Sequence, residues 1–135
     1  MTDIVCQIVR DELPAAVVAR TGELIAFLDH RPVFKGHVLI APMVHVDTLL
    51  DLPVELMQPL LTMGQQVAAA LEAALGAQGS FVAMNNVVSQ SVPHLHLHIV
   101  PRTKGDGLRG FFWPRTTYAS GEMEAYAELI RQALS

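Results

Sequence analysis

Residues 89–102 read SQSVPHLHLHIVPR and are the most informative part of this chain. Three of the six histidines fall here at alternate positions: His94, His96 and His98. Aliphatic residues hold the positions next to them: Leu95, Leu97 and Ile99. Successive side chains of a β-strand point to opposite faces of the sheet. The alternation therefore predicts a strand over residues 92–100, with the histidines on one face and the aliphatic side chains packed against a core.

Several imidazoles on one face suit two kinds of chemistry. Neutral ring nitrogens bind transition metals, and imidazole is also a nucleophile whose neighbours can donate hydrogen bonds to phosphate oxygens. A third interpretation, merely solvated histidines, is disfavoured by the strict alternation. A catalytic zinc often takes a carboxylate or cysteine ligand, but this segment has no acidic residue before Asp106. Three imidazoles along one strand also surround a single ion poorly, so we favour chemistry on a phosphate.

The overall composition is that of a folded domain. The chain has 135 residues, of which 51% are hydrophobic and 16% charged, so disorder is not expected. It has no unbroken apolar run of about 18–20 residues for a membrane span and no signal-peptide pattern at its start. One cysteine, Cys6, fits a reducing compartment, and we expect a cytoplasmic protein. The net charge of −4 argues against a nucleic-acid partner.

The rest of the chain mixes strands with helices. Besides residues 92–100, four runs are β-prone: residues 17–20, 24–28, 37–41 and 81–85. Apolar residues spaced three and four apart from Leu56 to Ala74 predict a long helix that ends near Gly76. A second amphipathic helix is predicted at about 121–134. We therefore expect an α+β fold in one domain, 1–135, in which residues 103–135 form a C-terminal extension.

Positive charge follows the histidine stretch. Four cations accompany Asp106 between residues 101 and 115: Arg102, Lys104, Arg109 and Arg115. They either keep a solvated loop soluble or steer a polyanionic substrate toward the histidines. Residues 111–115, FFWPR, would either pack at a subunit interface or cap the site and stack on a base.

The segment from His94 to Val100 resembles the motif of the histidine-triad (HIT) family, in which three histidines alternate with apolar residues. The likeness covers roughly residues 3–102 and includes further segments: 3–9, 12–14, 25–29, Pro32, and 36–42 with His45. It implies a five-stranded antiparallel sheet, with two subunits joined into one ten-stranded sheet across a homodimer. It also implies an enzyme that cleaves a nucleoside monophosphate from a leaving group through a nucleotidyl-histidine intermediate.

The same resemblance assigns roles to the histidines. His96 would be the nucleophile, and His98 would bind phosphate oxygens. His94 would orient the site through its backbone and ring, with His37 beside it. Metal-free catalysis is physically reasonable here, because imidazole, amide and hydroxyl donors can together meet the charge of a phosphoryl group.

Polar and apolar positions complete the site that the resemblance implies. Gln90 and Ser91 match positions that hydrogen-bond the phosphate or bridging atom. Asn85 matches the polar amide of the family, with Asn86 as the alternative because the segment up to Gln90 looks about two residues short. Asp29 matches the carboxylate that holds the ribose hydroxyls, although an Asp before Arg31 and Pro32 would also suit a turn. The expected nucleotide, with adenine as its base, would also contact Ile8, Leu13, Phe27, His30 and Leu39.

The branch of the family and the metal content follow from smaller signals. Pro101-Arg102 is similar to the dinucleoside-polyphosphate hydrolase branch, whereas phosphoramidases tend to have Gly-Gly there. The alternatives are a purine nucleoside phosphoramidase and a non-catalytic nucleotide-binding module. No cofactor is expected, and Mg²⁺ would enter only with a polyphosphate substrate. Some members bind structural zinc through Cys-x-x-Cys and two histidines. Here Asp3 replaces the first cysteine, so we expect no metal, and the alternative is a zinc ion on Asp3, Cys6, His45 and His94.

Overall fold

The computed structural model describes residues 3–108 and 115–134, and its centre is one antiparallel sheet of five strands. In chain order the strands are β1 (Val17–Arg20), β2 (Leu24–Leu28), β3 (Val38–Pro42), β4 (Gly79–Ala83) and β5 (Leu97–Arg102). Their order across the sheet is β1-β2-β3-β5-β4. The helices are α1 (Ile4–Val9), α2 (Val54–Leu75) and α3 (Glu122–Leu134), with a 3₁₀ turn at Leu49–Asp51. The predicted α+β class with a five-stranded sheet is confirmed.

Local chemistry explains where several elements begin and end. The Thr21 hydroxyl accepts the N–H groups of Glu23 and Leu24, which closes the β1–β2 hairpin. Helix α2 ends at Gly76, whose φ of 71° is the left-handed conformation that glycine adopts without strain. No helix among residues 3–108 and 115–134 is both long and apolar enough to cross a membrane.

The two faces of the sheet carry separate apolar clusters. Helix α2 packs on one face, where a cluster of buried side chains includes Ile40, Leu95, Leu97 and Ile99. The approach is close at Gly64, because a Cβ there would lie 3.3 Å from Leu97 Cδ2. Helix α1 packs on the other face, where the second cluster lies. His98 pairs in register with Leu39, which packs against the second cluster. The side chain of His98 therefore lies on the side of the sheet away from α2.

Strand β5 is shorter at its start than the alternation predicts. It begins at Leu97, because Pro93 has no N–H to give to a ladder and Leu95 N–H donates instead to Val46 O at 2.6 Å. The aliphatic residues still alternate into the core as predicted. His94 and His96 lie in the loop before β5 rather than in the strand, and the ring of His94 is fully buried in a polar cluster with Cys6 of α1, which packs on the same side of the sheet as His98. Strand β3 begins and ends one residue later, and β4 two residues earlier, than the sequence predicts.

Candidate functional site

The ring of His96 is held in one tautomer by the backbone. It lies in the loop directly before β5 and is 7% exposed. Its Nδ1 is 2.8 Å from the carbonyl oxygen of His94. A carbonyl only accepts, so Nδ1 carries the proton and Nε2 carries the lone pair. The nitrogen with the lone pair is the atom that can attack an electrophile.

A chain of hydrogen bonds orients His98 in the same way. The backbone N–H of Val33 donates to His37 Nδ1 at 3.1 Å, so the proton of His37 is on Nε2. That Nε2 lies 2.9 Å from His98 Nδ1, which must therefore accept. The proton of the neutral His98 ring is then on its Nε2. His98 stands 4.9 Å from His96, centroid to centroid, and can donate to a group bound between them.

The local electrostatics keep His37 and His98 neutral. Burial, together with smaller effects of the neighbouring His96 and His37, lowers the pKa of His98 to about 4, against an opposite effect of Asp29. Burial also lowers the pKa of His37. A neutral His98 at physiological pH is consistent with a hydrogen-bond donor. His37 stands beside His98 rather than beside His94, where the resemblance put it.

Asp29 follows directly after β2 and lies next to this relay. Its Oδ1 accepts the N–H of Arg31 at 2.9 Å, so the turn predicted from residue types is present. Its Oδ2 is 3.7 Å from His37 Nδ1, too far for a hydrogen bond to a nitrogen that already accepts from Val33. Oδ2 therefore remains available as an acceptor at the edge of the histidine group. His30, next in the chain, is exposed.

The polar residues of the loop after β4 divide between structural and site positions. Asn86 Oδ1 accepts the N–H of Leu49 at 2.7 Å and so fixes the 3₁₀ turn. Asn85 instead lines a cavity of about 260 Å³ together with His98. This geometry favours Asn85 as the amide of the site.

Both ends of the Gln90 amide have partners within the protein. Its Nε2 donates to Asp47 O at 2.7 Å, and its Oε1 accepts from Val87 N–H at 2.9 Å. These bonds shape the loop, and the predicted contact of Gln90 with phosphate would require one of them to be exchanged. The neighbouring Ser91 is exposed.

The residues predicted to wall a base pocket belong to one apolar cluster. Ile8 and Phe27 are buried in the second cluster, and Leu13 and Leu39 are half-buried against it. Leu39 faces His98 across the β3–β5 pairing. The four side chains are thus together on the histidine face, and Leu13 and Leu39 are the members with surface left to contact a ligand.

A second polar cluster joins α1 to His94. Its ligand-type atoms lie within 4.8 Å of one another and belong to Asp3, Cys6, His45 and His94. Cys6 Sγ is 3.6 Å from His94 Nδ1 and 3.7 Å from His45 Nδ1, and Asp3 Oδ2 is 2.8 Å from His45 Nδ1. The structure therefore assembles the four residues of the alternative zinc set.

The tautomers in this cluster turn several lone pairs toward one point. His94 Nε2 donates to Pro42 O at 2.8 Å, which leaves Nδ1 without a proton in the neutral ring. His45 Nε2 donates to Asp47 Oδ1 at 2.6 Å, with the same consequence. Acceptors facing one another in this way need a proton or a cation between them.

The positive segment after β5 is partly neutralised. Asp106 accepts two hydrogen bonds from Arg102, at 2.6 and 3.1 Å, and these bonds lower the pKa of Asp106 to about 2. Lys104 and Arg115 are exposed. Arg109 and residues 111–114 lie outside the described residues. Arg102 is therefore committed to its own loop, and any steering would depend on the other cations.

The sequence of residues 10–105 matches the family model described as the HIT domain. This chain belongs to the HIT family. The match contains both polar clusters except for the two N-terminal members of the zinc set, Asp3 and Cys6.

Relatives within the HIT family include enzymes with two kinds of name. The adenosine 5'-monophosphoramidase of Schizosaccharomyces pombe is 32% identical over 132 residues, which cover 96% of this chain and 96% of that protein. The asymmetrical bis(5'-nucleosyl)-tetraphosphatase of the same yeast is 36% identical over 92 residues, covering 67% of this chain and 50% of that protein. Among solved structures, a zinc-bound histidine triad family protein from Mycobacterium smegmatis is 31% identical, with a TM-score of 0.77 and 98% of each chain covered.

The donor set of this HIT protein fits a tetrahedral zinc ion. Ligands at about 2.0–2.3 Å from zinc stand roughly 3.3–3.7 Å apart in a tetrahedron. The distances from Cys6 Sγ to its three partners, 3.5, 3.7 and 3.6 Å, agree with this spacing, whereas Asp3 Oδ2 lies closer to His45 Nδ1 and His94 Nδ1, at 2.8 and 3.2 Å, and would move outward on binding the ion. A His ligand whose other nitrogen donates to a carboxylate or carbonyl is the usual outer arrangement, and Asp47 and Pro42 O supply it here.

Sequence reasoning missed three partners that orient the histidines. The N–H of Val33 and the carbonyl of Pro42 are backbone groups, and no side-chain pattern reports them. The contact of Asp47 could have been predicted from the sequence, because a carboxylate two residues after His45 can reach the ring of that histidine. Without the fold, nothing linked Asp47 to Cys6 or His94.

Proposed function

We propose that this HIT protein is a nucleotide hydrolase or transferase that acts through a covalent nucleotidyl intermediate on His96. The tautomer of His96 carries the proposal. Its Nδ1 proton is held by the His94 carbonyl, so Nε2 is a preformed nucleophile. His94 is fixed in turn by the bond from its Nε2 to Pro42 O, and Leu95 by its bond to Val46 O.

In the first step His96 Nε2 attacks the α-phosphorus of a nucleotide. The new N–P bond forms as the bond from phosphorus to the leaving group breaks, and the leaving group departs with the electron pair. The imidazole becomes cationic, and its Nδ1–H bond to the His94 carbonyl strengthens as that charge develops. In the second step water attacks the phosphorus, the N–P bond breaks with its electron pair returning to His96 Nε2, and the proton of the water passes to solvent as the nucleoside monophosphate leaves. A polyphosphate leaves the first step as an anion, whereas an amine leaving group takes up a proton from solvent.

The developing phosphoryl charge is met by neighbouring donors. His98 Nε2–H is supplied by the Val33–His37–His98 chain, and the Asn85 amide lines the same cavity as His98. Ser91 would add a hydroxyl. Gln90 contributes by shaping this loop unless substrate displaces its present partners. Asp29 Oδ2 would accept from a ribose hydroxyl, and the cluster with Leu13 and Leu39 would contact the base, for which we propose adenine.

The leaving group has two candidates. Dinucleoside polyphosphates are favoured by Pro101-Arg102 after the triad and by the exposed Lys104. Phosphoramidates are favoured by the relative that matches over nearly its whole length, which is named an adenosine monophosphoramidase. We propose polyphosphate as the first candidate and phosphoramidate as the second. A non-catalytic module would not need the preformed nucleophile.

A turnover panel tests the function. Purified protein is offered diadenosine tetraphosphate with Mg²⁺ and an adenosine phosphoramidate without metal, and kcat/KM is measured for each. A rapidly quenched reaction is examined by intact mass for one added nucleoside monophosphate. Turnover of either substrate with the adduct on His96 supports the proposal, and the ratio of the two kcat/KM values assigns the branch. Nucleotide binding without turnover of either substrate would instead establish that the protein is a non-catalytic nucleotide-binding module.

We also propose a structural zinc ion on Asp3, Cys6, His45 and His94. The convergence of ligand atoms and the zinc-bound mycobacterial relative support it. When bound, the ion would supply positive charge to the facing acceptors and a link between α1 and the two loops. No step of the phosphate chemistry passes through it, because His96 is oriented by the backbone.

A further inference from the structure

Helix α3 presents an apolar face that its own chain leaves uncovered. None of its residues is buried. The side chains on this face are between half and four-fifths exposed: Met123, Tyr126, Leu129, Ile130 and Leu134. The opposite face is already satisfied, because Arg131 pairs with Glu124 at 2.8 Å and with Glu128 at 3.0 Å. The polar face of α3 therefore has ion-pair partners, whereas its apolar face remains exposed to solvent.

The start of α3 is fixed by its own local contacts. The N–H of Ala119 donates to Glu122 Oε1 at 2.8 Å, and Tyr118 contacts Tyr126 edge to face with centroids 5.8 Å apart. A 13-residue helix is marginal in water unless its apolar face packs on something. An exposed apolar face of this size points to an interaction surface.

The same chain carries an apolar groove of matching length. The α2–β1 groove has a volume of about 510 Å³ and is lined mainly by Val18, Leu28, Val67, Ala70, Ala74 and Leu75. Its wall on α2 runs from Met63 to Leu75, about 18 Å at 1.5 Å per residue, against about 20 Å for α3. Ala70 and Ala74 are small, so a second helix can approach within the 8–10 Å that packed helices require.

The length of the connecting segment fits the same pairing. Residues 103–121 join β5 to α3 and span up to about 60 Å when extended, enough to cross to a neighbouring subunit. In the described part of one chain both surfaces stay open, so an external partner is needed.

We infer that α3 of one subunit docks in the α2–β1 groove of a second copy of this chain. Each chain has one such helix and one such groove. A two-fold exchange therefore covers both helices and both grooves and leaves no open end. The exchange is independent of the proposed phosphate chemistry and of any sheet pairing through β4.

Cysteine cross-linking of the intact protein tests the exchange. Ile130→Cys is combined with Val67→Cys, Ala70→Cys or Ala74→Cys, which sample successive positions along the groove. Each double variant is oxidised at micromolar concentration and run on a non-reducing gel, with the wild type showing the contribution of buried Cys6. Because a disulfide requires Cα atoms within about 7 Å, at least one pair should give covalent dimer about tenfold above the matched Glu128→Cys control on the polar face of α3.

Other cross-linking results would overturn the inference. A cross-link within single chains would mean that α3 docks in its own groove. Equal dimer yields from Ile130→Cys and Glu128→Cys would mean random collision. No cross-link from any of the three pairs would mean that the groove is not the docking site.

Hydrogen exchange gives a second, independent measurement. Amides of α3 should exchange at least about tenfold more slowly in the wild type than in Ile130→Glu, because a docked helix opens less often. Glu128→Ala is the matched control and should keep most of the protection. Equal exchange in wild type and Ile130→Glu would show that α3 is undocked.

Discussion

Two backbone groups determine the chemistry of the histidine cluster at the scale of single residues. The His94 carbonyl fixes the proton of His96 on Nδ1, and the Val33 N–H fixes the tautomers of His37 and then His98. In the proposed mechanism, His96 and the His98 donor beside it are therefore preorganised before any nucleotide binds. Preorganised groups need no rearrangement during the reaction, which is why they stabilise a transition state more effectively than solvent does.

Replacement of His96 should separate binding from turnover. His96→Ala should lower kcat by at least about 10³-fold, or about 4 kcal/mol of barrier, because no other group supplies the attacking nitrogen. His96→Asn should still bind substrate, and the mass adduct should be absent from both variants. Steady-state kinetics with a thermal melt as the folding control measures this. Activity above a tenth of wild type in either variant would rule out the covalent route.

The depressed pKa of His98 should make stability depend on pH. The folded protein holds His98 neutral to about pH 4, whereas the unfolded chain takes up its proton near pH 6.5. The unfolded state thus binds more protons in this interval, and stability should fall as the pH drops from 6.5 toward 4. Urea denaturation at several pH values should give a shallower dependence for His98→Asn. The exposed His30→Asn should behave like wild type, and an unchanged slope in His98→Asn would contradict the burial argument.

At the scale of elements, α1 is attached to the sheet by both apolar and polar contacts. Val5 and Ile8 pack in the second cluster, while Asp3 and Cys6 meet His45 and His94 from the loops after β3 and before β5. Asp3 also caps α1 by accepting the N–H of Cys6 at 2.8 Å. Metal at this cluster would therefore join three segments that are far apart in sequence, whereas the reacting nitrogen belongs to a separate group.

Chelation should lower stability without stopping the chemistry. Dialysis against a strong chelator should reduce Tm by several degrees, and zinc should restore it, because the ion links segments that separate on unfolding. Cys6→Ser should have a lower Tm that responds much less to the chelator. Metal content by elemental analysis and Tm by calorimetry measure these effects.

The rate on a metal-free phosphoramidate, measured well below Tm, should be unchanged by chelation. This comparison avoids the effect of Mg²⁺ on the charge of a polyphosphate. A loss of rate that zinc restores at that temperature would indicate that the metal takes part in the reaction.

At the scale of the whole molecule, the charge around the site is uneven although the net charge is −4. Arg102 is paired with Asp106, which leaves Lys104 and Arg115 as the exposed cations of the described part of this segment. Arg109 belongs to the undescribed part. Exposed charges act over about 8–10 Å at ordinary salt, so they affect capture of a substrate rather than its chemistry. The homodimer, the adenine preference and a cytoplasmic location stay predictions.

Removal of free cations should slow capture in proportion to substrate charge. Lys104→Ala/Arg109→Ala should lower kcat/KM for a tetraphosphate substrate more than for a phosphoramidate, and added salt should reduce the difference. Asp106→Asn, which releases Arg102 from its partner, should act in the opposite direction on the tetraphosphate. The measurement is kcat/KM at low and high salt. Equal losses on both substrates, independent of salt, would mean that the segment acts through packing.

The sequence alone determined the features that depend on short-range periodicity. Alternation at 94–99 gave the aliphatic core positions, the spacing from Leu56 to Ala74 gave α2, and Gly76 gave its end. The family motif marked His96 and the fold class. These signals are local because strand and helix periods are properties of consecutive residues.

Only the tertiary structure decided which histidines act together. His94 forms a separate group from His96 and His98 because its ring is held by Pro42 O, Asp3 and Cys6. His37 contacts His98 across 61 positions of sequence, and Asp47 accepts from the ring nitrogen of His45 that faces away from Cys6. Such contacts depend on how β3, β5 and α1 are brought together, and on backbone donors and acceptors that every sequence has. A side-chain pattern along the chain does not report either of these, so the tautomer that leaves the lone pair on His96 Nε2 could only be derived from the fold.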